Sequence, residues 1–169
     1  MAKVPVTLMV DGFFNNLERQ VDAITYSFNQ TVDKDGQVTD IPRGGLIVLR
    51  MKAYNDGNID LFNWMCEKNL VKDGAIIFRD TEKDSEMKKI QFKQAYCVNY
   101  VEHWQDTTKN TPVAHWEEIT LSCHEIIIKQ VGFRNDWGLE GDYSRKMRED
   151  EMPKETNSSD DWAPYPGSS

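Results

Sequence analysis

Ile24-Thr25-Tyr26-Ser27-Phe28-Asn29-Gln30-Thr31-Val32-Asp33-Lys34-Asp35-Gly36-Gln37-Val38-Thr39-Asp40-Ile41-Pro42-Arg43-Gly44-Gly45-Leu46-Ile47-Val48-Leu49-Arg50-Met51 is the stretch that decides the fold class. Ile24, Tyr26 and Phe28 alternate with Thr25, Ser27 and Asn29. Ile47, Leu49 and Met51 alternate in the same way with Val48, Arg50 and Lys52, so both segments carry the period-two pattern of half-buried strands. Hairpin loops usually close in about two to five residues, and the polar connection from about Thr31 to Gly45 is far longer than that. It contains no nucleophile, metal set or phosphate cradle, and reads as a contact arm. Gly44-Gly45 at its end permits positive φ and close backbone approach where the chain re-enters the sheet.

Outward from this core the pattern stays strand-rich. Val4 to Val10 predicts a first strand closed by Asp11-Gly12, the second spans about Ala23 to Asn29, and the third Leu46 to Lys52. One helix follows, capped by Asp56 or Asn58, with Ile59, Phe62, Trp64, Met65 and Cys66 as its apolar face through about Lys68. Strands are then expected at Ala75 to Phe78, Ile90 to Phe92, Tyr96 to Val101, Glu117 to Cys123 and Glu125 to Gln130. Many short strands and one helix predict a mainly β chain: a two-sheet antiparallel β-barrel with one short flanking α-helix and a long arm between the second and third strands.

The chain has 169 residues, 39% hydrophobic and 28% charged, enough for one real core. Its net charge of -8 argues against backbone-directed nucleic-acid binding and against an anionic membrane surface. No apolar run is long enough to insert into a membrane as a helix, and Met1-Ala2-Lys3-Val4-Pro5 lacks a signal-peptide core, so synthesis and assembly in the cytoplasm are expected. Beyond Trp137 the composition turns polar, and residues 138–169 carry half of the net charge, with four basic and eight acidic side chains. The expected division is a barrel domain at 1–137 and an acidic C-terminal extension at 138–169. Tyr143, Met147, Trp162 and Tyr165 are its candidate docking anchors.

Each candidate for chemistry has a simpler structural reading. Cys66, Cys97 and Cys123 are widely spaced and form no Cys-x-x-Cys, so buried free thiols are expected rather than a disulfide or zinc set. His103, His115 and His124 suggest a metal, yet Cys123 and His124 are strand neighbours that point to opposite faces. Asp33-Lys34-Asp35-Gly36 begins like a calcium loop, but Val38 stands where that loop needs glycine and Gly44 where it needs glutamate, which leaves a turn. Consecutive Glu117 and Glu118 face opposite sides of a strand, so one is an inward charge or an interface ion pair rather than half of an acid/base pair. No Gly-x-Ser-x-Gly elbow is present. An enzyme is not expected, and neither a cofactor nor a metal is called for.

Taken in order, Tyr26-Ser27-Phe28-Asn29-Gln30, Asp33, Gly36, Pro42-Arg43-Gly44-Gly45 with Ile47 and Leu49, Leu61 with Trp64-Met65, and Lys72-Asp73-Gly74 carry a resemblance. Phe92, Ala95-Tyr96-Cys97-Val98, Tyr100, Glu102, Thr120-Leu121-Ser122, Glu125-Ile126 and Trp137 extend it. The chain resembles the haemolysin-coregulated protein family, the tube subunit of bacterial type VI secretion systems, in particular the branch typical of Bacteroidetes. The resemblance implies a homohexameric ring, rings stacked into a hollow tube, sheath, spike and baseplate partners, effector cargo, and export by the machine itself. It also maps Thr31 through Gly45 to the contact with the adjoining ring, where Arg43 is a candidate for an ion pair. Two other readings are open: a tube protein of a phage-tail-like contractile system, and a monomeric lipocalin-like barrel with a small-molecule pocket.

Overall fold

The computed structural model describes residues 4–13, 16–54, 56–105, 114–135 and 137. Two units are distinct, Met1–Asp136 and Trp137–Ser169, and the second contributes only Trp137 to the described residues. In the first unit lie β1 (Val6–Val10), β2 (Leu17–Tyr26), β3 (Leu46–Lys52), α1 (Asp60–Cys66), β4 (Lys72–Asp80), β5 (Ser85–Gln105), β6 (Ala114–Ile128) and β7 (Val131–Arg134). All neighbouring strands pair antiparallel in the order β3-β2-β1-β4-β5-β6-β7. β3 also pairs with β6, from Leu46 opposite Ser122 to Lys52 opposite Trp116, and this ladder closes the sheet into a barrel. β7 takes over the same edge of β6 where β3 stops, with Ile128 opposite Val131. The expected barrel is thus one continuous sheet closed on itself, which leaves β7 at an edge.

β3 has the predicted bounds, whereas β2 begins earlier, at Leu17. Leu17, Arg19 and Val21 face inward, and Arg19 on that face disguises the alternation. Asp22 is an extra residue between the pairs Val21/Met51 and Ala23/Arg50. Such a bulge reverses side-chain parity, so Ile24 and Tyr26 turn to the core after odd-numbered residues did so before it. Where two strands each were expected, β5 and β6 are single long strands. Gln94, at φ 50, lets β5 bend without ending, and its amide donates to Asp73 Oδ1 at 2.8 Å. Ile90 and Phe92 are inward on one side of the bend, Ala95 and Cys97 on the other.

Leu8, Val10, Ile47, Leu49, Met51, Ile76, Ile90, Ile119 and Leu121 are fully buried and fill the barrel. Each such side chain contributes about 1.5–3 kcal/mol by leaving water. A lipocalin-like cavity would need that space open. α1 caps the core differently from the sequence expectation. Leu61 and Trp64 are its buried residues, and the Trp64 indole donates to the Ala95 carbonyl at 3.2 Å. Ile59, Phe62, Met65 and Cys66, assigned to the apolar face, are exposed instead. A helix this short buries a narrow stripe, and Leu61 at three residues from Trp64 defines it. Neither Asp56 nor Asn58 is the helix cap: Ile59 holds that position with no side-chain cap bond, and the two expected cappers order the approach instead, Asn58 Oδ1 accepting the Asp60 amide at 2.8 Å and Asp56 Oδ1 the Asn58 amide at 3.0 Å. Cys97 and Cys123 are buried as expected, with burial pushing their thiols up to about 11 and about 12, while Cys66 is exposed.

Candidate assembly interface

The connection from β2 to β3 is a hairpin in its own right. The Asn29 and Arg43 backbones exchange both hydrogen bonds, at 2.8 and 2.7 Å, and Val32 bridges Val38. Thr31 O accepts from the Thr39 amide at 2.9 Å and from its hydroxyl at 3.2 Å. At the tip, Asp33 Oδ1 accepts from the amides of Asp35 and Gln37, each at 2.9 Å, and Gly36 takes φ 80. Asp33 to Gly36 is therefore the expected turn, and Lys34 stands exposed on it. Arg43 is paired within the arm, its Nη2 at 2.6 Å from Asp40 Oδ2, and this bond holds the Asp40 carboxyl below its usual range. Val32, Val38 and Ile41 remain 56%, 58% and 62% exposed.

Gly44 and Gly45 pin the arm to the barrel. The Cys123 amide donates to Gly45 O at 2.8 Å, and Asn135 Nδ2 donates to Gly44 O at 3.0 Å and Cys123 O at 2.8 Å. Asn135 thus sits where β3 hands the β6 edge to β7. Gly45 has φ 95, as the sequence reading requires of a residue at this re-entry. A Cβ on Gly44 would overlap the Phe28 ring, which itself packs edge-on against Phe133 with centroids 4.8 Å apart. No sequence signal marks Asn135, since an asparagine after a strand reads as an ordinary turn residue.

The other end of the barrel carries a cleft. β3 leaves the arm at Leu46 and ends at Lys52, opposite Trp116, so the start of β6 and the end of β5 lie far from the arm. Tyr54, Ile59, Phe62, Tyr100, Glu102 and Glu117 are among the residues lining a cleft of about 570 Å³ there. Glu117 faces inward, 6% exposed, and Glu118 faces outward with Arg50 at 3.8 Å, which resolves the consecutive glutamates as an inward charge and an ion pair. Burial pushes the Glu117 carboxyl up, against the pull of Arg19, and burial with the Glu117 and Glu102 charges pushes the Tyr100 hydroxyl up.

A raised carboxyl binds its proton more tightly folded than unfolded. Its contribution to stability is therefore greatest in acid and declines as pH rises through the folded value, leaving ionised Glu117 a net cost at neutral pH. Glu117→Gln is expected to stabilise the subunit at pH 7 by on the order of 1 kcal/mol at most, because Arg19, His115 and the Tyr100 hydroxyl already offset part of the burial cost. The gain fades towards pH 4. Urea titrations at both pH values check this, and an equal effect at both refutes it.

The histidines are dispersed. His103 stacks on Trp116 at 5.0 Å, His115 Nε2 lies 2.8 Å from Glu102 Oε1, and His124 is half-buried beside the fully buried Cys123. Among the described residues no helix is long and apolar enough to cross a membrane. The proposed anchors Tyr143, Met147, Trp162 and Tyr165 lie outside the described residues.

The subunit is a filled β-barrel with a hydrogen-bonded hairpin arm at one end, on which Val32, Val38 and Ile41 stand exposed, and an open cleft at the other. The family described as Hemolysin coregulated protein Hcp (TssD) matches residues 3–138, and the chain belongs to it. Hcp1 from Flavobacterium johnsoniae is similar at TM-score 0.67 and 26% identity, with 78% of this chain and 99% of that chain covered. Hcp1 from Salmonella typhimurium shares the fold at TM-score 0.57 and 13% identity, covering 79% of this chain and 92% of that one. A chain in the anti-feeding prophage baseplate shares it at TM-score 0.50 and 14% identity, covering 78% and 95%. No curated protein sequence matches the chain. Membership of this family makes the chain a tube subunit.

Proposed function

We propose that copies of this chain close into a hexameric ring, and that rings stack head to tail into the inner tube of a type VI secretion machine. Thr31 to Gly45 of each copy reaches the adjoining ring. The observation that supports this reading is the arm: Val32, Val38 and Ile41 stand in water on a hairpin whose base and tip are hydrogen-bonded. Apolar surface contributes roughly 25 cal/mol per Å² when a partner covers it, and a pre-ordered arm loses little further entropy on docking. One heterologous contact that closes generates a ring, and a second along the ring axis generates a tube.

In this reading a sheath surrounds the tube, a spike tips it, a baseplate seats it, and effectors travel with it. The subunit works without catalysis or a cofactor, is made and assembled in the cytoplasm, and leaves the cell with the tube. Residues 138–169 form an accessory acidic segment beyond the barrel domain. Deleting Asp33 to Asp40 is expected to leave rings that stack poorly, seen by light scattering and negative-stain imaging. Normal tubes from that deletion would remove the arm from the assembly. A chain ending at Trp137, imaged alongside, is expected to form normal tubes, and failure would give the tail a structural role.

A further inference from the structure

The cleft at the far end of the barrel is electrostatically incomplete. Glu117 is 6% exposed, yet its Oε2 has no hydrogen-bond partner. Its direct partner across the β5–β6 ladder is Glu102, so two carboxylates share one face, where like charges oppose each other. Tyr100 Oη lies 3.5 Å from Glu102 Oε2, and His115 is on Glu102 Oε1. Arg19 is the cation built into this end, but its guanidinium sits over the Tyr54 ring at 4.6 Å and 3.9 Å from Asp56. Its own Nε is likewise unpartnered. Glu102 thus has His115 and Asp56 has Arg19, while Glu117 Oε2 is left without a donor, and a cation reaching it from outside would complete the site. Around them Tyr54, Ile59, Phe62 and Tyr100 provide aromatic and apolar walls, with Phe62 and Tyr100 edge-on at 5.8 Å. Such walls suit the aliphatic stem and charged head of a long basic side chain.

We propose that this cleft receives the arm of a second copy of the chain in the adjoining ring, with Lys34 against Glu102 and Glu117 and with Val32 and Val38 against Ile59 and Phe62. The proposal rests on the stacking role of the arm and names its receptor. Three features support it. The arm and the cleft occupy opposite ends of the barrel, as head-to-tail stacking demands. Lys34 is exposed at the tip with no ion pair among the described residues, whereas Arg43 is already neutralised by Asp40. The Asp33 carboxylate beside Lys34 is occupied by the turn amides, which holds the tip in one shape.

Charge reversal tests the pairing. Lys34→Glu and Glu102→Lys are each expected to leave rings intact and to weaken ring-to-ring association about tenfold or more, read by sedimentation velocity across a concentration series. The double variant restores stacking, because the reversed charges meet again. Wild-type stacking by Glu102→Lys, or a double variant no better than the single ones, overturns the proposal. The Asp33 to Asp40 deletion separates the two readings. If it stacks normally, the arm itself is not the stacking element. If it fails to stack while the charge reversals are silent, the arm docks elsewhere.

Discussion

Trp64→Ala is expected to lower the stability of the free subunit by about 3–5 kcal/mol, a large share of the roughly 5–15 kcal/mol that holds a domain folded. Trp64 is 1% exposed, its ring centroid lies 6.2 Å from that of Phe13, and its indole satisfies the Ala95 carbonyl at the bend of β5. Alanine leaves a cavity under α1 and an unsatisfied carbonyl where the long strand changes direction. Phe62→Ala, two residues away on the outer face and 51% exposed, should alter folding stability by no more than about 0.5 kcal/mol. Urea unfolding of both variants measures the contrast. Equal losses would mean that α1 is not docked through the Leu61 and Trp64 stripe.

Gly45→Ala is the second large effect, a loss of about 3 kcal/mol. A left-handed backbone costs an L-residue about 1–2 kcal/mol, and overpacking adds about 1–3 kcal/mol. Gly45 has φ 95, and a Cβ there would lie 2.9 Å from the Cys123 carbonyl oxygen and overlap the Asn135 amide. Relief would require Asn135 to release the Gly44 and Cys123 carbonyls, which loosens the handover from β3 to β7. Gly36→Ala is the matched control: φ 80, with nothing within 4 Å of the added carbon. It should lose only the backbone part, about 1 kcal/mol. Identical denaturant midpoints for the two variants would show that Gly45 is not under steric load.

The sequence pattern predicted β3 to the residue because Ile47, Leu49 and Met51 alternate without interruption between a glycine pair and a loop. Ile119, Leu121 and Cys123 were legible on one face for the same reason. β2 was less so, since Arg19 occupies a core position and the Asp22 bulge changes parity within a single strand. β5 looked like two strands because Gln94 interrupts the alternation, and β6 did so because the consecutive residues Glu125 and Ile126 are both buried; pattern cannot separate such a local irregularity from an end. The helix face failed differently. Ile59, Phe62 and Met65 are apolar and regularly spaced, which is what a core-facing stripe and a partner-facing stripe have in common. The arm was visible through its length and its lack of chemistry. The cleft was not, because Glu102 and Glu117 meet only through strand register.

The opposite placement of arm and cleft gives any head-to-tail column of these subunits two unlike termini. One terminus bristles with hairpins ending in Lys34, and the other presents open acidic sockets floored by Glu117. With the arm seated in the cleft as proposed, a factor that starts the column and a factor that halts it would need opposite chemistries, one supplying a socket and the other a plug. Polarity is written into each subunit before it meets another.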